Sequence, residues 1–173
     1  MLSIIVPVRD ESKTIKEVFE YFNNNLKKIN YEVLIINDFS QDDTLDKTKN
    51  LINNFKNFKV FDNDKKGLGG AINLGIKNAS GENVAIMMAD QSDDINDLIK
   101  YNDHISSGDY DAILGSRFTK NSKVNDYPFQ KLILNRIFNF FVSIIFLNKY
   151  NDYTNAFKIY KRSTLIEIMP LIS

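Results

Sequence analysis

The sequence predicts an α/β fold, a mainly parallel sheet flanked by helices. Short continuous apolar runs lack the alternation of half-exposed strands, so they read as strands covered on both faces. These runs alternate with stretches of helical periodicity ten to fifteen residues long, the pattern of a parallel sheet with crossover helices. The residues that follow the runs are consistently polar, as expected where strands end beside a ligand site.

Taken in order, Ile4, Ile5, Val6 and Val8 form the first buried strand. Ser12 is then expected to cap a helix carrying Ile15, Val18, Phe19 and Phe22 on one face. "EVLIIND" is the second strand, and "SQDDTLDKTKNLINNF" is a helix with Asp42 and Asp43 in its first turn. "FKVFDND" is the third strand. "KKGLGGAINLGIKNA" reads as a glycine loop entering a helix whose face carries Ala71, Leu74, Gly75 and Ala79. "ENVAIMMAD" is the fourth strand, "DINDLIKYNDHIS" the next helix and "DAILGSRF" a fifth strand.

Residues 128–147 differ in character. They are strongly apolar, yet Asn135, Arg136 and Asn139 leave an uninterrupted part far short of the roughly 20 residues needed to span a bilayer. Apolar residues on several helix faces suit either burial in a larger assembly or a membrane-interfacial helix, with Lys131 and Arg136 near lipid headgroups.

Composition narrows the chemistry. The 173 residues, 43% hydrophobic and 12% aromatic, are enough for one domain with a real core. Twenty-two basic against 22 acidic residues exclude the charge footprint of a nucleic-acid-binding protein. The absence of cysteine and the single His104 exclude disulfides, thiolate catalysis and Cys- or multi-His-ligated metals, so any cation must sit on oxygen. His104 is expected at an exposed helix end, which leaves acid–base chemistry to carboxylates or to the substrate. The N-terminal apolar stretch has no basic region or cleavage site and reads as a strand, not a signal peptide.

The strand ends supply the candidate site: Asp10 and Glu11, Asn37 and Asp38, Asp90, then Ser116 and Arg117. Asp38 and Glu11 can accept hydrogen bonds from a base or ribose. In "MMADQSDD", Asp90 is assigned to Mg²⁺ or Mn²⁺, whose shell water and substrate phosphates would complete, and Ser92–Asp94 to helix capping. "GLGGAINLG" admits two readings, a tight helix entrance, or backbone amides with Lys65 or Lys66 approaching a diphosphate.

The ordered set "SIIVPVRDE", "EVLIINDFSQDDT", "KKGLGGAINLGIKNASGE", "VAIMMADQSDD", "AILGSRF" and "NDYTNAFKIYKRS" resembles glycosyltransferase family 2, in particular its dolichol-phosphate mannosyltransferase-like branch. The resemblance covers essentially the whole chain. It implies a Rossmann-like GT-A fold and an inverting transfer of a hexose from a nucleotide-diphosphate sugar, of the GDP-mannose or UDP-glucose type. The implied acceptor is a polyprenyl (dolichyl or undecaprenyl) phosphate, and the implied cofactor is Mg²⁺ or Mn²⁺.

Carried across residue by residue, the resemblance places Pro7, Arg9, Glu11 and Asp38 around the nucleoside, with Lys66 and Gly69 also on the nucleotide sugar. It places Asp90 on the metal and Arg117 near the phosphates. Lys131, Asn135, Asn155 and Lys158 fall at the acceptor or phosphate positions, and Asp152 is the candidate base if the acceptor is a hydroxyl. Three positions depart from the family pattern: Met88 replaces the first aspartate of the metal motif, Asn37 replaces the first of a double aspartate, and Ala156–Phe157–Lys158 replaces Gly-Phe-Arg. The last exchanges a planar two-point phosphate clamp for a point charge.

Residues 1–173 are therefore expected to be a single catalytic domain that stops early at its C-terminus, acting at the cytoplasmic face of the membrane through a peripheral contact, with homo-oligomerisation left open. Two alternatives stand beside it: transfer to a sugar hydroxyl in cell-surface polysaccharide synthesis, and non-catalytic nucleotide-sugar binding. A dinucleotide-dependent oxidoreductase is disfavoured, because "VPVRDESKT" has no glycine.

Overall fold

The computed structural model describes residues 1–119 and 128–172, with side chains to residue 169. The chain forms two compact units: Met1–Ile113 with Phe157–Ser173, and Leu114–Ala156. In chain order the elements are β1 (Leu2–Val8), α1 (Ile15–Asn25), β2 (Tyr31–Asn37), α2 (Thr44–Leu51), β3 (Phe58–Asp62), α3 (Leu68–Asn78), β4 (Asn83–Ile86), α4 (Ile95–Ser106), β5 (Ala112–Leu114), α5 (Phe129–Ile145), β6 (Lys158–Lys161) and α6 (Arg162–Ile172).

The sheet order is β3-β2-β1-β4-β6-β5, with β1 parallel to β2 and β4, and β2 parallel to β3. Every residue of β1 and β2 is buried, which explains why those runs are continuous and not alternating. The pleat still sorts their side chains. Ile4, Val6, Val33 and Ile35 join Val18, Phe19 and Phe22 of α1 and Leu98 of α4 on one face. Ile5, Leu34 and Ile36 meet Ala71 and Ile76 of α3 and Leu165 of α6 on the other. Each large aliphatic side chain buried this way contributes about 1.5–3 kcal/mol. Phe19 stacks on Phe58 with ring centroids 4.4 Å apart, which ties α1 to β3. A Cβ at Gly75 would lie 2.5 Å from the Ile5 side chain, so only glycine lets α3 settle this closely on β1.

The amino-terminal ends of the strands are joined through Glu32, whose side chain is 7% exposed. It accepts from Ser3 Oγ at 2.6 Å and from the amide and hydroxyl of Ser80, each at 2.7 Å, and pairs with Lys59 Nζ at 2.7 Å. Burial pushes its pKa up, but the bonds from Lys59, Ser3 and Ser80 outweigh that and hold it at about 2.

Several sequence expectations change in detail. Ser12 does not cap α1: the cap position is Thr14, without a side-chain capping bond, and the Ser12 amide instead donates to Asp42 Oδ2 at 3.1 Å. Asp42 and Asp43 precede α2, with Asp43 at its cap position. β4 ends at Ile86, so Met87–Asp90 lie beyond the ladder. β6 is a strand that the pattern reading did not foresee. It runs antiparallel to β4, pairing Ile86 with Lys158 and Asn83 with Lys161. "KIYK" is too short and too basic to stand out as a buried run.

In the second unit the apolar stretch is a helix, α5, with Asn139 as its one buried residue among those described. Phe129, Leu134, Phe140, Ile145 and Phe146 are each more than 60% exposed. Among the described residues no helix is long and apolar enough to cross a membrane.

Candidate active site

In the first unit the carboxyl ends of β1, β2 and β4 lie side by side, because the three strands are parallel neighbours. They open onto a cavity of about 290 Å³. β1 contributes Pro7 and Val8, followed by Arg9 and Glu11; Asp38 follows β2; Leu68 opens α3; and Met88, Ala89 and Asp90 follow β4. The chain turns sharply after each group. Asp10, Phe39 and Gln91 all hold left-handed backbone conformations, with φ of 56°, 57° and 57°. Such angles cost a non-glycine residue roughly 1–2 kcal/mol, and here each stands directly after a residue that lines the cavity.

Two of these turns are joined. The Asp10 amide donates to Ser40 Oγ at 3.1 Å, and Asp10 Oδ1 accepts from the Gln41 amide at 2.6 Å. The Glu11 amide donates to Thr44 Oγ1 at 2.8 Å. Asp42 accepts from the amides of Ser12 and Thr44 and from the Thr44 hydroxyl, and the Thr44 and Ser12 bonds hold its carboxyl well below the ordinary carboxylate range. Asp10 and Asp42 thus act as structural acceptors that hold the rim.

Asp38 is buried, and its Oδ1 accepts from Asn63 Nδ2 and from the Gly67 amide, both at 2.8 Å. Asn63 also donates to the Lys65 carbonyl at 2.7 Å. Asp38 therefore fixes the glycine loop as well as lining the cavity. Gly67 has a φ of 112°, a conformation glycine supplies without strain. The loop brings Leu68 into the cavity wall. Lys66 and Gly69, expected on the nucleotide sugar, are exposed and are not among the residues that line the cavity. Leu68, Asn63 and Ala89 were not singled out by the sequence pattern. An apolar residue between two glycines was the signal available for Leu68.

The donor set suits a hard cation held by few protein ligands. Glu11, Asp38 and Asp90 offer carboxylates to one cavity, whereas Met88 offers only a thioether to its wall. Among the described residues no three His, Cys, Asp or Glu side chains are grouped as a ready metal cage. Asp90 is exposed, and its Oδ1 accepts from the Ser92 amide at 3.0 Å. Asp94 caps α4 as expected, accepting from the Asn96 amide at 2.8 Å. Lys158 sits in register with Ile86, at the carboxyl end of β4.

The second unit contains a separate polar network. Asp152 is fully buried and accepts from Arg117 at both oxygens: Nε at 2.9 Å and the backbone amide at 2.8 Å on Oδ2, and Nη2 at 2.7 Å on Oδ1. Arg117 Nη2 also reaches Thr154 Oγ1 at 2.9 Å, and Asn135 Nδ2 donates to the same hydroxyl at 2.5 Å. Asn155 Nδ2 donates to the Gly115 carbonyl at 2.9 Å, and Lys131 is exposed on α5. With both oxygens engaged by a guanidinium, Asp152 orients Arg117. This geometry does not suit the proton-acceptor role expected of it.

The family model for Glycosyl transferase family 2 matches residues 3–169. The dolichol-phosphate mannosyltransferase of Pyrococcus furiosus is 30% identical over 135 residues, 78% of this chain and 38% of that protein. The glycosyltransferase AglD of Haloferax volcanii is 25% identical over 166 residues, 93% of this chain and 26% of that protein. The chain thus spans well under half the length of these curated relatives. Among solved structures, the mannosyltransferase PcManGT from Pyrobaculum calidifontis, in complex with GDP-Man and Mn²⁺, superposes with a TM-score of 0.67 at 16% identity, over 96% of this chain and 46% of that one. S. aureus TarS 1–349 in complex with UDP-GlcNAc does so with a TM-score of 0.63 at 21% identity, over 96% and 46%.

Proposed function

The chain belongs to glycosyl transferase family 2, and from that premise we propose that it transfers a hexose from a nucleotide-diphosphate sugar to a polyprenyl phosphate with inversion at the anomeric carbon. The observation that carries this reading is the strand-end cavity of the first unit, where Arg9 and the carboxylates of Glu11, Asp38 and Asp90 line one space of about 290 Å³. Pro7, Arg9, Glu11 and Asp38 are assigned to the nucleoside and Asp90 to the diphosphate end. Mg²⁺ or Mn²⁺ held by Asp90 and the donor phosphates would supply Lewis-acid stabilisation of the leaving group.

Arg117, fixed by Asp152 and Thr154, is assigned to phosphate oxygens, as is Lys158; Lys131, Asn135 and Asn155 are assigned to the acceptor side. An acceptor phosphate oxygen attacks the anomeric carbon as the bond to the diphosphate oxygen breaks, and the nucleoside diphosphate departs. A phosphate monoester is already anionic at neutral pH, so no side chain need take a proton from it. That suits a protein whose one histidine lies outside the cavity. Peripheral contact with the cytoplasmic face of the membrane, through exposed α5, completes the proposal.

Calorimetric titration of UDP- and GDP-sugars with and without Mn²⁺ tests it. One donor class is expected to bind, more tightly with the ion, and Asp90→Ala is expected to lose the ion's effect and at least a hundredfold in transfer rate. No binding by the wild type, or full activity in Asp90→Ala, would overturn the assignment. Met88 in the cavity wall favours one second reading, nucleotide-sugar binding without transfer, and donor binding without measurable product would support it.

A further inference from the structure

We propose that the second unit carries a site for the phosphate of an anionic bilayer lipid, in the cavity between α5 and the stretch that follows it. The proposal rests on the membrane contact inferred above and names the chemistry by which it is made. The cavity measures about 140 Å³, room for a tetrahedral phosphate and its first ester atoms. Arg136, Asn139, Phe140 and Ser143 supply one side, at the i, i+3, i+4, i+7 spacing of a single helical face, and residues 148–151 close the other with Lys149 among them.

Its charge is one-sided. Residues 128–151 contain three cations, Lys131, Arg136 and Lys149, and no Asp or Glu, in a chain whose total charge is zero. Among the described residues neither Arg136 nor Lys149 meets a carboxylate. The adjacent acid, Asp152, is buried and committed to Arg117. The Arg136 guanidinium stands 5.0 Å from the centre of the Phe118 ring, which orients it by cation–π attraction and leaves its N–H edge for an anion.

The chain next to these lining residues, at the carboxyl end of α5, is apolar and exposed. Ile144 is 52% exposed, Phe146 67% and Leu147 92%, and Leu147 has a left-handed backbone with φ of 49°. Exposed apolar side chains next in the chain to the lining of a cationic hollow match the two layers of a bilayer surface, acyl chains beneath phosphates. A second copy of this chain would cover the apolar residues but would press like-charged cavities together.

Vesicle flotation of the full chain separates the outcomes. Vesicles of phosphatidylcholine alone are compared with phosphatidylcholine mixed with phosphatidylglycerol and with phosphatidylcholine carrying a polyprenyl phosphate, for the wild type, for R136Q/K149Q, and for K27Q/K28Q, which removes the same charge from exposed positions of the first unit. The wild type is expected to prefer the mixed vesicles, R136Q/K149Q to bind them about thirtyfold more weakly, and K27Q/K28Q to fall less than threefold. All variants change exposed residues, and circular dichroism checks that they remain folded. Equal losses in both double variants would reduce the effect to diffuse charge and overturn the site. Equal binding to the plain and the mixed vesicles by wild type and R136Q/K149Q would overturn the site and leave the membrane contact standing. A loss confined to vesicles carrying polyprenyl phosphate would give the cavity to the acceptor instead, again overturning it. No flotation at all would overturn the membrane contact itself, and the site with it.

Discussion

Asn63 ties the strand-end cavity of the first unit to the glycine loop. Its amide holds Asp38 Oδ1 and the Lys65 carbonyl, so one buried side chain sets both a lining carboxylate and the glycine loop. Asn63→Ala is expected to cost about 1–3 kcal/mol of stability through unmade buried bonds, and about tenfold in donor affinity. Asn63→Asp is the sharper variant, because it sets a second carboxylate against Asp38. Its donor binding should be weakest at pH 8 and recover toward pH 5 as one of the two is protonated, whereas Asn63→Ala should show no such recovery. Titration calorimetry at the two pH values checks this; identical pH profiles would show that Asn63 does not face Asp38. Glu11, Asp38 and Asp90 were legible in the sequence because each lies within three residues of the end of an apolar run. Asn63 was not, since its importance comes from a tertiary contact 25 positions away in the chain.

The elements most legible in the sequence are those whose burial is most regular. β1 and β2 were readable as continuous apolar runs because both of their faces are covered, and α1 and α3 because one face of each meets the core at helical spacing. β6 escaped notice because its stability comes from pairing with β4, which no local pattern records. The same dependence on partners holds at the opposite strand edge, where Glu32 joins β1, β3 and the turn before β4. Its folded pKa of about 2 lies below that of an unfolded glutamate, so its contribution is complete above about pH 4.5 and is lost as the pH falls toward 2. The difference corresponds to about 3 kcal/mol. Glu32→Gln should therefore unfold more easily at pH 7 and lose less on acidification, so that its stability approaches the wild type's near pH 2. Urea unfolding at pH 7, 4.5 and 2 measures this. Parallel pH dependence in the two proteins would show that Glu32 is not the titrating group.

For the whole molecule, neutrality conceals an uneven placing of charge: three carboxylates, Glu11, Asp38 and Asp90, line the first unit's cavity beside a single cation, Arg9, whereas Arg136 and Lys149 line the second unit's with no carboxylate. The lone imidazole belongs to neither. His104 lies in the last turn of α4, and that end of the helix is fixed to the start of β4: Asn83 Nδ2 donates to Asn102 Oδ1 at 3.0 Å and to Ser106 Oγ at 2.9 Å. The cavity lies past the other end of β4, four residues on, a separation of about 13 Å along the strand. A crossover helix that starts beside the ligand and returns to the opposite edge carries its last turn away from the chemistry. His104→Ala should therefore bind donor and transfer sugar at the wild-type rate, within about twofold, while Asp90→Ala in the same assay fails. A tenfold loss in His104→Ala with unchanged thermal stability would mean that the imidazole reaches the reacting groups, and that proton transfer is not left to an acceptor that arrives already ionised.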